Sequence, residues 1–233
     1  MIQKIIQVGA GGNGSWLVPH ICRIMNHRSS GIRVYRIYDG DTVEEKNLLR
    51  QNFSQKDLGR NKAEALAVRY SSIYGKSLDF TPHYINDETL EGYYNHVILI
   101  GCVDNNKTRL MMQNAYKRFH DSIYIDIGNE EYWGQIFISS NAGERYLFDN
   151  VKYSNDKHPD ELSCAERLES GAQSPIINSY MAVLVANLLY SLIVLKKTID
   201  YYKIIANTNN IITRYLVKDY KKLPVAKKAV KKK

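Results

Sequence analysis

Cysteine is scarce in this 233-residue chain: Cys22, Cys102 and Cys164 are the whole supply. Three thiols this far apart build neither a disulfide framework nor the four-thiolate cage of a structural zinc. An odd count, with no apolar leader at the start, fits a reducing, cytosolic compartment. No internal repeat is present, which argues against a solenoid or propeller. Charge of one sign is missing from the body of the chain. The formal net charge is +8, but residues 221–233 hold seven lysines (Lys221, Lys222, Lys227, Lys228, Lys231, Lys232, Lys233) and no acid, so the rest is nearly neutral. Such a tail could meet nucleic acid or an acidic partner. It has no aromatic residue to stack on bases, so a solvated, disordered end explains it more simply.

Long uncharged apolar stretches are also rare. The one that stands out is 176–195, followed by Lys196-Lys197. Its length and flank meet the crude rule for a membrane span. Asn178, Ser179, Asn187 and Ser191 interrupt it, however, and it follows an α/β pattern that needs a covering helix. The expectation is a buried helix and no membrane. Eighteen tyrosines point to a partly amphipathic surface.

What is present is alternation. Apolar runs at Ile2–Val8, Ile32–Tyr38, Leu78–Ile85, His96–Ile100 and Ser122–Ile127 read as strands. Between them, the stretch from Ser15, Asn61–Tyr74 and Lys107–Phe119 read as helices. This rhythm predicts an α/β, Rossmann-like sheet of parallel strands with helices on both faces. The C-terminal half changes character. Gln135–Ser139 alternates like an antiparallel strand, and Tyr201–Ala206 with Ile211–Val217 read as a hairpin around Asn207-Thr208-Asn209-Asn210. Antiparallel strands are therefore expected to extend the sheet. Residues 1–217 are read as one domain, with a polar crossover loop at about 149–172, and 218–233 as the basic tail.

Ligands on such sheets bind at the carboxyl ends of the strands. Three motifs fall there. Gly9-Ala10-Gly11-Gly12-Asn13-Gly14 follows the first strand and opens a helix, the arrangement in which backbone N–H groups and the helix dipole hold a phosphate. Alone it fits any dinucleotide or ATP site. Asp39-Gly40-Asp41 follows the second strand and leads through Asn47-Leu48-Leu49-Arg50-Gln51 to Lys62. Gly101-Cys102-Val103-Asp104-Asn105 follows the fourth. Taken singly, Asp39 could cap a turn, Asp104-Asn105 could cap the next helix, and Arg50 and Lys62 could be solvated. Their joint placement favours phosphate chemistry.

These residues resemble the ThiF/MoeB/HesA family, bacterial relatives of ubiquitin-activating enzymes. The resemblance runs from Ile5 to about Asn129 and, more loosely, from Leu162 to Leu195. It implies an ATP- and Mg²⁺-dependent enzyme that joins AMP to the C-terminal glycine carboxylate of a small ubiquitin-like protein. A homodimer is expected, because without zinc clamps the apolar helix at 176–195 needs more cover than one sheet face gives. On that resemblance the loop Gly9, Gly11, Gly12 and Gly14 would cradle the nucleotide, and Asp39, with Asp41 beside it, would bind the ribose side. Asn47, Arg50, Gln51 and Lys62 would contact phosphates, and Asp104 would hold Mg²⁺. Cys164, in Ser163-Cys164-Ala165-Glu166-Arg167, would sit on the crossover loop as a thiol that takes over the activated carboxylate or takes part in sulfur transfer. The order Ser-Cys, Gln173, Ile176-Ile177-Asn178 also resembles the plasmid-borne PRTRC branch.

Two departures modify these expectations. The paired Cys-x-x-Cys motifs of many members are missing, so no zinc is expected. The chain also begins at its first strand, so the phosphate-binding arginine that relatives supply from an N-terminal helix of the partner subunit is expected to be replaced by another arginine, such as Arg23, or supplied by a different chain. Two other readings remain open. A nicotinamide-dependent oxidoreductase would use the glycine loop and Asp39 but leave Asn47–Gln51 and Lys62 without a task. A non-catalytic, ATP-gated interaction protein is the other.

Overall fold

The computed structural model describes residues 2–93, 95–130, 132–140, 174–209 and 211–216. Within them runs one sheet of eight strands in the order β3-β2-β1-β4-β5-β6-β7-β8. The strands are β1 (Lys4–Val8), β2 (Val34–Tyr38), β3 (Asp79–Thr81), β4 (Val97–Gly101), β5 (Ile123–Asn129), β6 (Trp133–Ser140), β7 (Tyr201–Asn207) and β8 (Ile212–Leu216). The first five pair in parallel, and β5 to β8 pair antiparallel. This is the Rossmann-like sheet with an antiparallel extension that the alternation predicts.

Side-chain alternation along each strand builds two cores. Ile5, Ile37, Ile98, Ile100 and Ile125 face one side, with Leu17, Leu66 and Val185 from helices α1 (Gly12–Asn26), α2 (Lys62–Tyr74) and α5 (Ile177–Ile193). Ile6, Val8, Val97 and Leu99 face the other. There they meet Leu90 of α3 (Asp87–Leu90) and Met112 and Tyr116 of α4 (Asn106–Tyr116). A period of two along a strand makes both layers possible.

Several boundaries differ from the sequence reading for local reasons. β3 stops at Thr81 rather than Ile85 because Pro82 has no N–H to donate to a ladder. His96 lies at φ +58 and so stands outside β4. Three tyrosines lie in the core rather than at an amphipathic surface: Tyr35, Tyr116 and Tyr124 are fully buried. Each hydroxyl donates a hydrogen bond there, to Gln7, to the Ser122 and Ser139 carbonyls, and to Asp126 respectively. The apolar stretch at 176–195 forms α5 and packs against α1 and the sheet. Among the described residues no helix is long and apolar enough to cross a membrane. The crossover loop at 149–172 and the tail at 218–233 lie outside the described residues.

Candidate nucleotide site

The glycine turn is held from beneath by Gln7, a polar residue flanked by Ile6 and Val8 in β1. It is fully buried, and its Nε2 donates to the carbonyls of Gly9 (2.9 Å) and Gly14 (3.2 Å). Gly9 lies at φ +96, a conformation that disfavours any side chain. A Cβ on Gly14 would collide with the Gly9 carbonyl. Gly11 differs: among the described residues only Gln51 comes within 4 Å of the position its Cβ would take. Among them helix α1 starts there bare. Gly11 supplies no side-chain cap and the first turn carries no acid, whereas α2, α3 and α4 each begin under an asparagine cap (Asn61, Asn86, Asn105). Open N–H groups and an uncompensated positive dipole end favour an anion.

Asp39, buried at the end of β2, locks the turn sideways. Its Oδ2 accepts from the Ala10 N–H (2.6 Å) and its Oδ1 from the Asp41 N–H (2.8 Å). Burial pushes its pKa up, although the Lys62 charge and these N–H groups oppose that. Asn61 ties the same corner to α2, its Nδ2 donating to the carbonyls of Asp39 and Asp41.

The segment after Asp41 folds back over the start of α1. Trp16 Nε1 donates to the Arg50 carbonyl (2.8 Å), and the Asn52 N–H donates to Ser15 Oγ (2.9 Å). Asn47 is buried inside this segment, where its Oδ1 accepts the Glu44 N–H and closes a short turn. Arg50 and Gln51 are thereby carried to the glycine turn: Arg50 Nη1 and Gln51 Nε2 lie 3.2 Å and 3.9 Å from the Cβ positions of Gly12 and Gly11. Arg36, Arg60, Arg69 and Arg109 each face a carboxylate. Among the described residues Arg50 faces none. Its Nε and the Gln51 Oε1 are buried, without a partner among the described residues. An unneutralised guanidinium beside a bare helix start can receive an anion through two donors.

Lys62 sits one step behind. It is buried and its ammonium pairs with Asp41 Oδ2 at 2.8 Å. Burial pushes Asp41 up, but the bonds from Lys62 and Tyr84 outweigh it and hold the carboxyl below its ordinary value. Tyr84 is a residue that motif reading does not find. Its ring lies against Gly40, its hydroxyl bonds Asp41 Oδ1, and the rest of the side chain is exposed. The Asp41 hydrogen bond, burial, and the charges of Asp41, Asp39 and Asp104 push its pKa up to about 12, so it stands within electrostatic reach of all three acids.

At the end of β4, Asp104 is exposed and Asn105 caps α4 through the Thr108 N–H. The loop between β4 and α4 is stapled by Arg109, whose Nη2 donates to the Val103 carbonyl (2.7 Å) and whose Nε lies 3.2 Å from Asp126 Oδ1. Asp126 is fully buried on β5, and burial pushes its pKa up against the opposing Arg109 charge. Cys22 is core and its thiol is pushed up by burial to about 12; burial likewise raises that of Cys102. Cys164 lies outside the described residues.

The structure thus gathers Gly9, Gly11, Gly12, Gly14, Asp39, Arg50 and Gln51 at one turn, with Asp41 and Lys62 as an ion pair beside it. Asn47 serves the turn that carries Arg50, and Asp104 stands at a separate strand end. Arg23 does not join them. It is exposed near the far end of α1, eleven residues from Gly12, or about 16 Å along a helix axis, so within one chain it cannot supply the phosphate arginine. Gln7, Asn61, Tyr84 and Asp126 are the contributors that the motifs did not name. A polar residue between Ile6 and Val8 was the available signal for Gln7.

The sequence profile of the ThiF family matches residues 2–230. The chain belongs to that family. It is 28% identical over 116 residues to an "Adenylyltransferase and sulfurtransferase uba4" of Aspergillus clavatus, covering 48% of this chain and 22% of the relative. It is 33% identical over 104 residues to a "NEDD8-activating enzyme E1 catalytic subunit" of Caenorhabditis elegans, covering 44% and 23%. This ThiF-family chain therefore spans about a quarter of the length of these curated relatives. Among solved structures, E. coli MccB with ATP superposes with a TM-score of 0.65 at 19% identity, over 92% of this chain and 63% of that one. PaaA superposes at 0.66 and 19%, over 92% and 64%. At such identity these likenesses establish the fold.

Proposed function

We propose that this ThiF-family protein binds ATP at the glycine turn and adenylates the C-terminal glycine carboxylate of a small ubiquitin-like protein. The observation that carries the proposal is the pairing of a bare, acid-free helix start with Arg50, a half-buried guanidinium without a carboxylate partner among the described residues. The names of the relatives, an adenylyltransferase and a NEDD8-activating enzyme, support this chemistry and this kind of partner.

In the reaction, a carboxylate oxygen of the acceptor forms a bond to the α-phosphorus of ATP. The bond from that phosphorus to the bridging oxygen of the β-phosphate breaks, and pyrophosphate leaves with the electron pair. Two anions must meet, so fixed cations have to offset their repulsion. Arg50 and the α1 N–H groups are the groups proposed for that task, and Lys62 can add charge by sharing its three donors between Asp41 and a phosphate. Asp104 is the proposed anchor for Mg²⁺. Among the described residues no group of three metal-ligating side chains exists. One carboxylate suits Mg²⁺, which draws its other ligands from water and substrate phosphates and shields their charge. Cys164 is the proposed acceptor of the activated carboxylate after adenylation. We propose a homodimer, supported by an apolar stripe on α5: Ile176, just before its first turn, with Val183 and Tyr190, spaced by seven and all exposed.

The test is ligand-dependent melting followed by isotope exchange. ATP with Mg²⁺ should raise the midpoint and NAD should not. With a small glycine-ending protein, pyrophosphate should exchange into ATP. Arg50→Ala should weaken ATP binding about ten- to hundredfold, and Cys164→Ala should leave exchange intact. Stabilisation by NAD but not ATP would overturn the proposal.

A further inference from the structure

The polar cluster at the glycine turn contains one member from the far half of the chain. Asn178 is the second residue of α5, 166 positions beyond Gly12, and is 1% exposed. Its Oδ1 lies 2.5 Å from the point where a Cβ on Gly12 would sit, and Arg50 Nη1 lies 3.2 Å from that same point. Carboxamide and guanidinium therefore share the space above Gly12 that only a glycine leaves free. Among the described residues, neither Asn178 Nδ2 nor Arg50 Nε, both buried, has a hydrogen-bond partner. A buried, unsatisfied amide is costly, and a hydrophobic residue in the first turn of an apolar helix would avoid the cost.

We infer that Asn178 is a positioning residue, a neutral carboxamide that seats the Arg50 guanidinium over the glycine turn without neutralising it. This rests on the reading of that turn as the ATP phosphate site. The charge of residue 178 decides the matter. Aspartate has nearly the same shape, and at this place it would give Arg50 the carboxylate partner that Arg36, Arg60, Arg69 and Arg109 already have. A guanidinium paired in that way attracts phosphate less, because an incoming anion must compete with a fixed one. A small apolar residue would leave the charge free but let the side chain wander. Asparagine keeps the charge and supplies an oxygen close to it. Because α5 follows the crossover segment, the approach of Asn178 to Gly12 ties the start of that helix to the phosphate-binding turn.

The experiment is ATP titration by calorimetry on the full chain, with ligand-free melting as the check on folding. Asn178→Asp should weaken ATP binding about tenfold or more, while Asn178→Ser should weaken it only a few-fold. In an Arg50→Ala background, Asn178→Asp should cost much less, since its target is gone; a double-mutant cycle isolates that coupling. Adenosine, which has no phosphate, should bind all variants alike. An Asn178→Asp protein that binds ATP like wild type would overturn the inference. So would an equal loss with Arg50 absent, or a loss in Asn178→Ser as large as in Asn178→Asp. If Asn178→Asp melts before it can be titrated, the Asn178→Ser and Arg50→Ala pair decides: independent losses overturn the inference and coupled losses support it. Wild-type protein that binds neither ATP nor inorganic tripolyphosphate would instead overturn the nucleotide reading itself, and the inference with it.

Discussion

Within one motif, the four glycines do different work. Gly9 and Gly14 are set by backbone geometry: the first has a positive φ, and the second lies so close to the Gly9 carbonyl that no Cβ fits. Gly12 makes room for Asn178, and Gly11 faces open space next to Gln51. Substitution separates fold from function accordingly. Gly14→Ala should destabilise the protein by about 1–3 kcal/mol through overpacking, read as a lower urea midpoint. Gly11→Ala should leave that midpoint within about 0.5 kcal/mol, yet weaken ATP binding, because its methyl group would occupy the space beside the bare N–H groups. Equal effects of both variants on stability would contradict this division.

The site is assembled by element ends, and its neighbours stiffen it. Arg109 on α4 reaches Asp126 on β5 and the loop that leads to Asp104. Removing one partner of a buried ion pair strands the other, so Asp126→Ala should cost about 3 kcal/mol in equilibrium unfolding. A loss below 1 kcal/mol would mean that the pair is dispensable. The Arg50 segment is anchored at its far end by Asp57, which is buried, closes a turn through the Ser54 N–H and pairs with Arg69. Burial raises the Asp57 pKa, but these donors outweigh it and hold the carboxyl below its ordinary value. For a depressed carboxyl the unfolded chain takes up protons first, near pH 4. The stabilisation is therefore present above about pH 4 and is lost as pH falls through the native value. The stability difference between wild type and Asp57→Asn, followed by urea unfolding, should be constant above about pH 5 and shrink below about pH 4. A difference that grows on acidification would refute the assignment. Asp39 and Asp126, with raised values, act in the opposite sense: their protonation on acidification favours the native state.

Across the whole molecule, α5 is both the floor of the core and its outermost layer. Met181, Val185 and Leu189 are buried toward the sheet, while Ile176, Val183 and Tyr190 are exposed, with Tyr190 edge-on to His27 at 6.2 Å. A stripe of this kind suits a second copy of the chain. Sedimentation at micromolar concentration should give a dimer, and Val183→Arg with Tyr190→Glu should give a folded monomer. A wild-type monomer, with and without ATP, would remove the dimer from the proposal.

Much was determined by local sequence alone, because hydrophobic period and backbone chemistry act over a few residues. The βαβ rhythm, the glycine turn after β1, the acids after β2 and β4, and the antiparallel hairpin at 201–216 could all be read before the fold was known. Their convergence followed from a general property of parallel sheets, that strand ends share one edge. What the tertiary structure decided depends on distance in space. Gln7 looks like a misplaced polar residue until the turn folds over it. Asn47 looks like a free loop side chain until its oxygen meets the Glu44 N–H. Arg23 looks available until the length of α1 carries it away. Asn178 reads as a blemish in an apolar helix until α5 packs against α1 and brings it to Gly12. Side-chain charges and amides act through a few ångströms of space, and no spacing along the chain encodes which of them will be neighbours.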